Sequence, residues 1–156
     1  MMKSTLSALC ICSALTACGS SNNGRPTPTA PMDPAASNEK LPSLDLLAVQ
    51  ARAESPGMHA KARHEDIIER ARTINLIEPR DGDLCLRVTF AASDPVSAQL
   101  ESDNGIPRSE RIEGTKGTFG ARGSLCVSNQ AGLRLSLTPV NPKKPITVRT
   151  IVLEPE

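Results

Sequence analysis

The chain of 156 residues reads as mainly β, an antiparallel β-sandwich preceded by a short helical segment. Three observations carry that reading. From Thr73 onward apolar residues recur with a period of two, as in LCLRVTF (84–90) and LRLSLTP (133–139), and that is the period of a strand with one buried face. Turn signals such as Asp81-Gly82-Asp83, Ser93-Asp94-Pro95, Asp103-Asn104-Gly105 and 139–145 separate these runs at short intervals, which is sandwich spacing. The N-terminal 40 residues lack such periodicity altogether.

Each element can be argued in order. Ser43 stands before LDLLAVQAR as a capping residue ahead of helix formers, and Ser55-Pro56-Gly57 ends the run, so a helix is expected there. A second, polar helical stretch is expected over 58–72, with Ile67, Ile68 and Ala71 on one side; the helical segment is thus 41–72 and the sandwich 73–156. Expected strands are 74–78, 84–91, 96–101, 109–113, 123–128, 133–137 and 146–153. In the last, Ile146, Val148 and Val152 share a phase that Ile151 and Leu153 break, which calls for a bulge or for burial on both faces.

Before the domain, Lys3 and the apolar run from Leu6 to Leu15 have the size and flanks of a removable leader, residues 1–17; the run is too short to span a bilayer, which needs ~20 apolar residues. At its end Leu15-Thr16-Ala17-Cys18 resembles the lipobox of bacterial lipoproteins. That resemblance implies lipidation of Cys18, and Gly19 and Ser20 imply an outer-membrane anchor facing the periplasm. Two or three acyl chains hold stably, at ~0.8 kcal/mol per buried methylene. Residues 18–40, with Pro26, Pro28, Pro31 and Pro34 and almost no large aliphatic side chain, cannot bury enough apolar area to offset chain entropy and read as a disordered tether.

Without the leader Cys18 belongs to lipid, which leaves Cys85 and Cys126. In an oxidising compartment they should pair. Each sits between apolar residues of one phase (Leu84 and Leu86; Leu125 and Val127) and so faces the other way, as a bridge between neighbouring strands requires. A lone pair lacks the ligand number of a zinc site.

Loss of Lys3 leaves 17 basic and 17 acidic residues from the 18 and 17 of the whole chain. A neutral balance without Trp or Tyr argues against nucleic acid as a partner. The basic excess after residue 105 has two readings: it cancels across the fold, or it forms a basic face of Lys116, Arg122, Lys143, Lys144 and Arg149 that meets an acidic partner. Phe90 fits the core alternation, so Phe119, in the glycine-rich stretch GTKGTFGARGS read as a hairpin loop, is the aromatic expected at the surface.

The order LCLRVTF, PVSAQLES, LRLSLTP and ITVRTIVLEP resembles the closing strands of galactose-binding-like jelly rolls in bacterial carbohydrate-binding proteins. That resemblance implies a jelly-roll-like sandwich and a glycan ligand, although such modules hold sugars against Trp or Tyr. No G-x-S-x-G elbow, phosphate loop or H-E-x-x-H motif is present, and His59 and His64 read as solvent-facing on the polar helix. The expectation is therefore a non-enzymatic, lipid-anchored protein without cofactor or metal that docks on another envelope protein, with a carbohydrate-binding module as the alternative.

Overall fold

The computed structural model describes residues 40–79, 81–128, 132–141 and 143–156. The leader, Cys18 and the tether to residue 39 lie outside the described residues. The elements are α1 (Leu44–Ala53), β1 (Met58–Ile68), β2 (Arg72–Ile77), β3 (Asp83–Ser102), β4 (Ile112–Phe119), β5 (Leu125–Ser128), β6 (Leu133–Pro139) and β7 (Ile146–Pro155). All strand pairs are antiparallel, in the order β1-β7-β3-β6-β2, with β4 and β5 also paired to β3.

The long strand β3 organises the rest. It pairs with β7 over Arg87 to Ala92 and with β6 over Val96 to Ser102. Pairing with β4 runs over Val88 to Ala98 and with β5 over Asp83 to Leu86. Ser93-Asp94-Pro95, expected as a turn between two strands, is instead a bend inside β3. Neighbouring strands break at the same level: β1 gives way to β2 at 69–71, β6 to β7 at 140–145, and the β3–β4 register shifts between Ala91 and Val96. Along that line the sheet folds over. The corner is pinned by backbone and side chain together: Val140 N donates to Pro95 O (3.1 Å), Thr147 N to Ser93 Oγ (3.1 Å), and Lys144 Nζ lies 2.9 Å from Asp94 Oδ2.

Folding over brings two inner faces into one core. Leu86, Val88, Phe90, Phe119, Ile146, Val148 and Val152 come from one half, and Ile74, Val96, Ala98, Leu100, Leu133, Leu135 and Leu137 from the other. The result is a sandwich-like, mainly β fold, as the periodicity requires. Cys85 and Cys126 are direct register partners on β3 and β5 and form the expected disulfide.

The second helical stretch is corrected. Residues 58–68 are a strand, so the β domain begins at Met58. Its sequence alternates small or polar residues with exposed charges: Lys61, Arg63 and Glu65 point outward. The neighbour decides the outcome, because β7 offers an apolar strand that the eleven-residue β1 can pair with, and tertiary pairing overrides weak local propensity. His59 and His64 accordingly lie half-buried on a strand rather than on a solvated helix, and His59 Nδ1 and His64 Nε2 are shielded without a hydrogen-bond partner among the described residues.

The expected helix is present, and it explains the broken phase of β7. Ile146, Val148 and Val152 face the sandwich core, while Ile151 and Leu153 face outward and are covered by Leu47, Ala48 and Ala51 of α1. Strand β7 is therefore buried on both faces. A bulge is also present, on the partner strand: the register with β7 shifts between Ala60 and Ala62.

Candidate functional site

The outer surface of the folded sheet has two regions. On the half formed by β1, β7, the first part of β3 and β5, three arginines hold α1 in place. Arg149 of β7 donates through Nη1 to the carbonyls of Leu41 (3.3 Å) and Pro42 (2.6 Å), and its Nε to Glu65 (2.5 Å). Arg87 of β3 donates to Glu54 O (3.2 Å) and Ser55 Oγ (3.0 Å) at the other end of the helix, where exposed carbonyls welcome a cation. Arg63 of β1 pairs with Asp45 in the first turn at 2.6 Å, and Ser43 Oγ caps Leu46 N at 3.2 Å.

With its inner side filled, α1 still carries apolar residues outward. Leu46 is 49% exposed and Val49 64%. Ala53 continues the same helical stripe, and Val49, Ala53, Pro56 and Met58 then line a shallow hollow of about 370 Å³.

The other half, formed by β2, β6, the second part of β3 and the start of β4, has no helix on its outer face among the described residues. Its register rows place Ser97 beside Thr138 and Glu113, and Gln99 beside Ser136, which in turn neighbours Thr73. Ser97, Gln99, Glu113, Ser136 and Thr138, with Arg111, Pro139 and Val140, line a concavity of about 320 Å³. Gln99 is held in position, its Nε2 donating to Ser109 O (3.1 Å) and its Oε1 accepting from Arg111 Nη2 (3.4 Å).

The residues singled out from the sequence do not converge on either surface. Phe119 is corrected: it is 3% exposed, its ring centroid 6.0 Å from that of Phe90 in the core. The reason is a change of phase within β4. Ile112 and Gly114 sit opposite inward residues of β3, Thr115 falls at the register shift, and Gly117 and Phe119 then sit opposite Phe90 and Val88. GTKGTF is therefore strand rather than loop, and only residues 120–123 turn. Gly117 is needed where it stands, since a Cβ there would lie 2.7 Å from Phe90 Cε1.

Nor do the five cations form one face. Arg149 is consumed in clamping α1, and Lys144 pairs with Asp94 at the corner beside Lys143. Lys116 shares a register row with Ala91 and Arg149, while Arg122 lies in the turn leading to β5. Both surfaces that the structure does present had a trace in the sequence: the polar alternation of VSAQLE and RLSLT for one, and Leu46 and Val49 for the other. Among the described residues no group of three or more His, Cys, Asp or Glu is placed to hold a metal, and no helix is long and apolar enough to cross a membrane.

Compared with known proteins, the chain matches no family model and no curated protein.

Proposed function

We propose that this chain is a lipid-anchored, non-catalytic periplasmic protein whose β domain docks on another protein of the cell envelope through the outward side of α1. One observation carries the reading: α1 is apolar on two opposite sides. Leu44, Leu47, Ala48 and Ala51 face the sheet, and Leu46, Val49 and Ala53 face away. A helix held on a surface needs one apolar stripe, and one that is apolar on both sides is suited to cover on both. The hollow beside Val49 gives a partner side chain a place to enter, and buried anchors of that kind dominate protein interfaces. The anchor itself rests on the LTAC motif and the polar segment that follows it.

Photo-crosslinking in intact cells tests this. A probe at Val49 should give one dominant protein adduct that disappears when Leu46→Asp is added, while a probe at Thr73 on the opposite half gives none. Equal, scattered adducts from both positions would end the docking reading. Membrane fractionation of Cys18→Ala tests the anchor separately: the protein should move from the membrane pellet to the soluble periplasmic fraction.

A further inference from the structure

We infer that the Cys85–Cys126 disulfide is a site of reversible thiol–disulfide exchange, entered at Cys126 by a dithiol reductant, and that its opening releases β5 from the sheet while the core stays folded. This does not rest on α1 having a partner.

Exchange begins with access. Cys126 is exposed on β5, whereas Cys85 is half-buried on β3. Both face away from the core, because Leu84, Leu86, Leu125 and Val127 take the inward positions. Displacement at sulfur runs in line, with the incoming thiolate opposite the sulfur that leaves, so the sulfur attacked is the one open on its far side. Seen from the outer face, the far side of Cys126 lies beyond β5, which pairs with β3 and with no other strand among the described residues. The far side of Cys85 lies over β3 toward β7, which pairs with β3 from Arg87 onward. Cys126 Sγ is thus the electrophile and Cys85 Sγ the leaving group.

In the first step a thiolate of the reductant bonds to Cys126 Sγ, the bond between the two cysteines breaks, and Cys85 leaves as a thiolate. The reductant's second thiolate then attacks the reductant's own sulfur in the mixed disulfide, and Cys126 leaves in turn. Two electrons pass to the chain and the two protons of the dithiol end on Cys85 and Cys126, while the reductant becomes a disulfide. From residue 19 onward these are the only cysteines, so within the β domain an oxidised partner disulfide can only restore the same bond.

What the bond holds is small. Strand β5 has four residues, Leu125–Ser128, in four register pairs with β3. Its inward side chains Leu125 and Val127 are only half-buried, and residues 121–124 before it are exposed. Strand β3, by contrast, keeps β7, β6 and β4 as partners when β5 leaves. Segments with few buried contacts open first, and here the covalent bond supplies what packing lacks.

The test uses the whole chain in detergent micelles, with reduced glutathione and dithiothreitol as probes. Brief reaction with glutathione followed by acid quenching should place the adduct on Cys126 in peptide mass spectrometry. Reduction by dithiothreitol should be first order in the reagent and outrun global unfolding, read as hydrogen exchange at Leu135 and Val148. In the reduced chain the amides of Cys126 and Val127 should exchange about tenfold faster or more, and those of Leu135 and Val148 should change by less than about twofold. Oxidised glutathione should restore the protection. Cys85→Ser combined with Cys126→Ser should show the same loss confined to β5 without any reagent, which separates the effect of the bond from that of the thiol. An adduct on Cys85, reduction that is independent of dithiothreitol concentration and no faster than global unfolding, or equal loss of protection on β5 and β6 would each overturn the inference.

Discussion

The two halves of the folded sheet share one core and differ in what lies on their backs. In one half the outward positions of β7 and β3 include Ile151, Leu153 and Ala91, and a helix covers them; in the other the outward positions of β3 and β6 are Ser97, Gln99, Ser136 and Thr138, and no element among the described residues covers them. The same alternation of strands therefore yields a three-layer structure at one end and a two-layer structure at the other. What differs is the set of residues in the odd positions of β3 and β7 and the even positions of β6. The comparison shows that the outward pattern of a sandwich is as informative as the inward one, because apolar residues out of phase mark where another element lies, and uninterrupted small polar residues mark where a surface is kept open.

The largest effect expected from breaking this comparison is at the disulfide, which ties β5 to the covered half. The bridge closes a sequence separation of 41 residues, and the chain-entropy argument gives roughly 4 kcal/mol for a loop of that size. The double variant Cys85→Ala, Cys126→Ala should lose about that much in denaturant unfolding, and probes on β5 should lose hydrogen-exchange protection before probes on β6. Simultaneous loss on both strands would show that the two halves do not differ in local stability.

Truncating the backs of the two halves comes next. Ile151 is fully buried beneath α1, so Ile151→Ala should cost about 3 kcal/mol. Ser136 lies half-exposed on the open face, and Ser136→Ala should change stability by less than about 0.5 kcal/mol. Equal losses would erase the distinction between a covered and an open face. A smaller test removes the helix cap: Ser43→Ala should cost about 1 kcal/mol and raise exchange at Leu46 N, whose proton the hydroxyl accepts, without touching β2 or β6.

How much of this was legible follows from what each residue competes with. The period-two strands, the disulfide and the capped helix could be read because local pattern and tertiary environment agree there. Strand β1 could not, since the alternation in HAKARHEDII is of small and polar residues rather than large apolar ones, and the segment takes its conformation from β7. Phe119 was hidden by the register shift at Thr115, which moves every later residue of β4 to the opposite face, and a shift of one residue is enough to do so. Arg149 looked like a surface cation in sequence, yet its partners Leu41, Pro42 and Glu65 are more than 80 residues away. The open polar face was legible as alternation, but its concavity comes from the pairing of β3 with β4 and β6, and pairing is not written in either strand alone.

The effect with the opposite sign belongs to the inner face. Thr150 is fully buried on β7, between His64 of β1 and Phe90 of β3, and its Oγ1 has no hydrogen-bond partner among the described residues. An unmet buried hydroxyl costs on the order of 1 to 3 kcal/mol, and an apolar group of the same shape removes that cost. Valine has that shape and keeps the branching that suits a strand. Thr150→Val should therefore raise stability by about 1 kcal/mol, read as an upward shift in the denaturant midpoint with an unchanged slope. His64 sharpens the interpretation, because its shielded Nε2 is the neighbouring polar atom also left without a partner. If Thr150→Val instead lowers stability, the hydroxyl and the imidazole are joined through a bound water, and His64→Ala should then remove the penalty of the Thr150 substitution in a double-mutant cycle.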